Sequence, residues 1–156
     1  LQAVLAHELG HLLCNHGVLI TVANVLALAA DAFSPRAGQA VSAALMRWRR
    51  SAELSCDRAA LLVAQDPQVA LSVIVKLTGG TVALRDEIST EAFLRQVQRY
   101  DESAQTRVGK QLVGSQTSGA SHPLPILRAA ELNRWSQGAE YRHLLASANR
   151  RQASLG

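Results

Sequence analysis

Aromatic residues are scarce in this chain: two Trp, two Tyr and two Phe make up 4% of 156 residues. So few rings give no base-stacking platform for a nucleic acid. Excess charge of either sign is also slight. Sixteen Lys and Arg against twelve Asp and Glu leave a formal charge of +4. That is too little to mark a nucleic-acid-binding domain, and none is expected. The densest basic cluster is Arg47, Arg49 and Arg50. It fits a solvated face, or a face beside an anionic membrane, as well as any polyanion. Two cysteines, neither in a C-x-x-C, are too few for a disulfide scaffold and leave the compartment open. No basic stretch leads into an apolar one at the start, so no signal peptide is read. An uninterrupted apolar run of about 20 residues, the length of a clean membrane span, is missing too.

What remains is a helical pattern. Ala and Leu dominate, and strand formers rarely alternate with polar residues. The expected fold is mainly α, with at most a small β-sheet or hairpin, in a single domain over residues 1–156. The chain opens on Leu1 with its first helix almost at once, and it reads as a domain lacking its N-terminal portion. Helices are expected from Gln2 to about His16, over Val18–Ala30, and over Gln39–Gln65, the last stopped by Asp66-Pro67. Others are expected over Gln68–Leu77, Ser89–Tyr100, Pro123–Arg134 and Ala139–Ala148. Asp31–Gly38 and Thr78-Gly79-Gly80 read as turns, and Glu102–Ser121 as a mobile polar loop. That loop is either a gate at a cleft or a surface linker. Val18–Ala30 reads as a buried core helix; the alternative is a helix that dips into or leans on a membrane.

Six residues into the chain stands His7-Glu8-Leu9-Gly10-His11, an H-E-x-x-H. On a helix, the two imidazoles lie one turn apart on one face and can hold a single zinc ion. Glu8 beside them can take a proton from a zinc-bound water and pass it to a leaving amine. A catalytic zinc takes three protein ligands and leaves a position open, so a third ligand must come from elsewhere. The long helix downstream offers Glu53 and Asp57, four apart on one face. Glu53 is the expected third ligand. Asp57 is expected to accept a hydrogen bond from the far nitrogen of a ligand histidine. His16, five residues after His11, is expected to point away from the ligand face. His143 reads as structural or solvent-facing.

Three segments together resemble the zinc metallopeptidases of family M48. They are the first motif within Val4–Leu12, the segment Arg50-Ser51-Ala52-Glu53-Leu54-Ser55-Cys56-Asp57-Arg58-Ala59, and His122-Pro123-Leu124-Pro125-Ile126-Leu127-Arg128. Their order and separations are similar to the family's. The resemblance implies a zincin-like helical domain of the gluzincin group and one catalytic Zn2+. It implies that His122 lies at the active site near the substrate oxyanion. It implies that Arg128 bonds carboxylates that shape the site, with Asp57 as its partner. Membrane-bound members insert spanning helices between the first motif and the Glu helix. The short interval here favours a soluble or peripherally attached branch. A bacterial periplasmic or membrane-associated location is expected over free cytoplasm.

Cys14 and Cys56 each follow a proposed ligand by three residues. They read as small core residues, with a mutual disulfide or a sulfur ligand as the alternatives. Trp48 and Trp135 read as helix-packing residues. Arg47, Arg49, Arg50 and Arg58 read as a solvated face or as groups that steer substrate. The function expected is a zinc-dependent endopeptidase acting on a protein or peptide substrate in protein quality control or processing, with peripheral membrane association open. The alternative is a zinc-stabilised binding or chaperone-like module with little or no turnover.

Overall fold

The computed structural model describes residues 1–79, 90–104 and 124–153. Among these residues every regular element is an α-helix and no strand occurs. In chain order they are α1 (Gln2–Leu13), α2 (His16–Phe33), α3 (Pro35–Ala64), α4 (Pro67–Gly79), α5 (Thr90–Ala104), α6 (Pro125–Ser136) and α7 (Ala139–Ala153). The mainly helical expectation holds.

The breaks between the first helices are short, and each has a local cause. Asn15 takes a left-handed φ of 53° between α1 and α2, a conformation that Asn tolerates better than most residues. Ser34 alone separates α2 from α3; its extended backbone precedes Pro35, whose fixed φ suits a first helical position. The expected turn over Asp31–Gly38 therefore shrinks to one residue. Gly38 allows this tight return. A Cβ there would lie 2.6 Å from Asp31 Cβ and 2.8 Å from Asp31 Cα. Gln65 ends α3 with a φ of 54°, and its N–H bonds Leu61 O at 2.8 Å. Asp66 then caps α4 by accepting the Gln68 N–H at 2.8 Å.

The core lies among the end of α3, α4, α5, α6 and the start of α7. Leu61, Leu71, Ile74, Val97, Leu132 and Trp135 are buried together there. Trp135 is tied in by its indole N–H to Glu140 Oε2 at 2.7 Å, while exposed Arg58 lies 5.2 Å over its ring. Arg58 is thus a cation on an aromatic face, not merely a solvated charge. Tyr141 packs 5.1 Å from the same ring.

Away from that core, α2 packs against α3 along one side only. His16 is its sole buried residue, and Val18, Leu19, Val22, Val25, Leu26, Leu28 and Phe33 are exposed. The expected buried core helix is therefore corrected. Continuing through Ala32 and Phe33, the helix is longer than the apolar run suggested, and α3 alone cannot cover a surface that is apolar nearly all round. By length and composition it is apolar enough to cross a membrane. The loop expected over Glu102–Ser121 begins inside α5, which runs to Ala104; its remainder lies outside the described residues.

Candidate metal centre

α1 and α3 meet closely because Gly10 faces α3. A Cβ on Gly10 would lie 3.1 Å from Cys56 Sγ and 3.4 Å from Cys56 Cα. This close approach sets the His7 and His11 side chains against Glu53 and Asp57. Each pair is spaced one helical turn apart, so both pairs project from a single face of their helix.

Donor atoms of three residues converge. His7 Nε2 lies 3.2 Å from His11 Nε2 and 3.5 Å from Glu53 Oε2, and His11 Nε2 lies 3.6 Å from Glu53 Oε1. Zinc held tetrahedrally at bond lengths of about 2.0–2.1 Å separates its ligand atoms by about 3.3–3.4 Å. The nitrogen and carboxylate separations, 3.2 to 3.6 Å, are close to that value, and all three residues line the cleft. The donor set, two imidazoles and a carboxylate, also suits zinc. The residues present therefore fit the ion.

Behind these donor atoms, Asp57 is buried and holds two partners. Its Oδ1 lies 3.1 Å from His7 Nδ1. Arg128, at the start of α6, donates Nε to Asp57 Oδ2 at 2.8 Å and Nη2 to Oδ1 at 2.6 Å. Its Nη1 is 3.7 Å from Glu53 Oε2. The guanidinium thus spans both carboxylates of α3. Burial works against the Arg128 charge, but the Asp57 hydrogen bonds and charge outweigh it and raise its pKa. Burial alone would lower the His7 pKa; hydrogen bonds to Asp57 and Glu53 and the Asp57 charge overcome that and push it up to about 9. His11 falls below its ordinary value, because burial outweighs the pull of Glu53.

His7, Glu8, His11, Glu53, Asp57 and Arg128 all line one cleft of about 440 Å³. Glu8 is exposed on that cleft. Val73, Ile74 and Leu77 of α4, with Val4 and Leu132, add apolar lining to the cleft. His122 lies outside the described residues. His143 is exposed.

Two expectations fail here. Cys14 is exposed and Cys56 buried, and both thiols are free, so only Cys56 is a core residue. Burial, and then the nearby Glu53 carboxylate, push the Cys56 thiol up to about 12. His16 does not point away. It is 6% exposed, and its Nδ1 lies 3.0 Å from His11 Nδ1 and 3.6 Å from Cys56 Sγ. Its ring stands edge to face with Trp48 at 5.5 Å. Counting residues along one helix missed it, because Asn15 interrupts the helix. An Asn between two helical runs was the available signal.

The model of Peptidase family M48 matches residues 1–136. A plastoglobule-localized metallopeptidase 48 of Arabidopsis thaliana, chloroplastic, is 52% identical over 154 residues. The match covers 97% of this chain and 45% of that relative, so the chain spans under half the relative's length. No solved structure matches. The relative's chloroplast address overturns the expected bacterial periplasm. With the model match spanning both motif helices and the Arg128 helix, the chain belongs to peptidase family M48.

Proposed function

We propose that the chain is the catalytic domain of a zinc-dependent endopeptidase. The observation that carries this reading is the convergence of His7 Nε2, His11 Nε2 and the two Glu53 carboxylate oxygens, at separations of 3.2, 3.5 and 3.6 Å. These three residues would hold the ion. When bound, zinc polarises the scissile carbonyl and makes water a better nucleophile near neutral pH. Glu8 takes the proton from the attacking water and hands it to the leaving amine. Asp57 accepts from His7 Nδ1–H and fixes that imidazole with Nε2 toward the ion. Arg128 holds Asp57 and offsets part of the charge of the two α3 carboxylates. His122 is assigned to the oxyanion side of the site on the family resemblance. The apolar lining from α4 suits a hydrophobic side chain of an extended protein or peptide substrate.

Peripheral membrane association belongs to the same reading. The exposed apolar surface of α2 supports it, as does the plastoglobule address of the relative.

The test is digestion of a proteome-derived peptide library with the full-length protein, compared with Glu8→Gln. The variant is expected to keep one zinc per chain and to lose cleavage by about 10²–10⁴-fold, the usual worth of a general base. Cleavage by Glu8→Gln at the wild-type rate would overturn the assigned role. Client binding by the wild type with no zinc-dependent product would favour the binding-module reading instead.

A further inference from the structure

Each ligand imidazole has a second nitrogen that needs a partner. His7 Nδ1 has Asp57 Oδ1 at 3.1 Å. Among the described residues, His11 Nδ1 has no carboxylate as a hydrogen-bond partner; it faces His16 Nδ1 at 3.0 Å. We propose that His16 is a positioning residue for the metal: its Nδ1 accepts the His11 Nδ1–H and so keeps the His11 Nε2 lone pair aimed at the ion. This inference rests on the proposed zinc site.

The direction of the hydrogen bond follows from proton counting. A neutral imidazole carries one N–H. If His16 donated from Nδ1, His11 would accept there and carry its own proton on Nε2. That proton would point at His7 Nε2, 3.2 Å away, and His11 could not ligate. Ligation through Nε2 requires the proton on His11 Nδ1 and a bare Nδ1 on His16. His16 is then protonated at Nε2. A metal-binding histidine commonly donates its other N–H to a fixed acceptor, which sets ring orientation and raises ligand basicity. A neutral imidazole performs this without adding a third negative charge beside Glu53 and Asp57.

The acceptor is built in, not incidental. In an unbroken α-helix His16 would sit about 140° around the axis from His11. The left-handed φ of 53° at Asn15 turns α2 and brings the ring back. There it is edge to face with His11 at 5.0 Å and with Trp48 of α3 at 5.5 Å. Cys56 Sγ closes the third side at 3.6 Å. Rings from α1 and α3 and a buried thiol thus hold one rotamer. The same three groups, His11, His16 and Cys56, are near enough to hold an ion of their own. That arrangement would need His11 to give up its last N–H proton if zinc also sat on Nε2, so the hydrogen-bonded reading is favoured.

The experiment measures zinc affinity of the full-length protein by competition with a chromophoric chelator, and cobalt absorption spectra after metal exchange. His16→Phe keeps a ring against Trp48 and removes the acceptor. It is expected to weaken zinc binding about 10–100-fold, with metal-free stability near wild type. His16→Asn, whose amide oxygen can stand near the Nδ1 position, is expected to regain most of that loss. Cys56→Ser is expected to leave affinity unchanged, with one metal per chain throughout. Unchanged affinity in His16→Phe would overturn the inference, and so would His16→Asn binding as weakly as His16→Phe. Two metals per chain, with a thiolate-to-cobalt band lost in Cys56→Ser, would overturn it in favour of a second metal site. A wild-type protein that binds no zinc would sink the endopeptidase reading and this inference together, whereas a zinc-binding wild type with an indifferent His16 sinks this one alone.

Discussion

Arg128→Met is the sharpest test of the frame behind the site. The guanidinium makes two short bonds to Asp57, at 2.6 and 2.8 Å, and joins α6 to α3 across 71 residues of sequence. Methionine keeps much of the stem and removes the fork. Among the described residues, Asp57 then stays buried with His7 Nδ1, at 3.1 Å, as its remaining charged neighbour. Breaking a buried pair by removing one member costs about 3–5 kcal/mol, because the other charge is stranded. The Arg128 side chain keeps 15% exposure and Asp57 keeps His7, so the low end, about 3 kcal/mol, is expected here. Against a total stability of about 5–15 kcal/mol this is a large loss. The assay is urea unfolding of the metal-free protein, with midpoints compared at constant slope. The double variant with Arg128→Met and Asp57→Asn should lose less than the two single losses added, with a coupling of about 2 kcal/mol. Arg128→Lys keeps the charge and loses the fork, so it should fall between. Two results would refute the reasoning: a loss under about 1 kcal/mol in Arg128→Met, or simple additivity in the double variant.

Three further outcomes follow from particular contacts. Gly10→Ala should gain about 1 kcal/mol of helix propensity, yet the added Cβ meets Cys56 Sγ at 3.1 Å. A net loss of stability and weaker zinc binding are expected, by thermal unfolding and chelator competition; a gain of the full propensity term would show that α1 and α3 need not touch there. Asn15→Gly should be within about 0.5 kcal/mol of wild type, while Asn15→Val, forced to a φ of 53°, should lose about 1–2 kcal/mol. Equal stability of the two variants would deny that the left-handed turn is required. Val22→Asp with Leu26→Asp, on the exposed side of α2, should abolish flotation with anionic lipid vesicles and leave the zinc content unchanged; undiminished flotation would remove α2 as the membrane-facing element.

The spacing of His7 with His11 and of Glu53 with Asp57 was readable because helical periodicity is local. Residues four apart share a face whatever the rest of the fold does. Pairing the two faces with each other was a guess about tertiary structure, and the family resemblance supplied what periodicity could not, including Arg128 as the partner of Asp57. Burial of α2 was misjudged for a related reason. Hydropathy states what a helix can bury, not whether a neighbour is available to cover it. His16 failed differently: its position depends on one backbone angle at Asn15, and a count of residues assumes that angle is helical. Mainly helical class survived all of this, since it depends on summed propensity and not on any single junction.

That junction also explains why the site needs its odd local backbone. Two crossing helices fix four side chains well, because a turn of α1 presents His7 and His11 and a turn of α3 presents Glu53 and Asp57. They fix the ring orientations less well, since a histidine on a helix keeps freedom about its second torsion. His7 is held because Asp57 lies beyond it and Arg128 holds Asp57. His11 is one turn further along, away from Arg128. A straight continuation of α1 would leave its Nδ1 facing solvent. Ending the helix at Leu13 and restarting it at His16 brings an acceptor to that nitrogen from the same chain segment. The left-handed residue is a local strain of about 1–2 kcal/mol for most side chains and less for Asn. It is offset by a second oriented ligand, and its place in sequence, between the motif and the apolar helix, ties the zinc-site geometry to the element that faces outward.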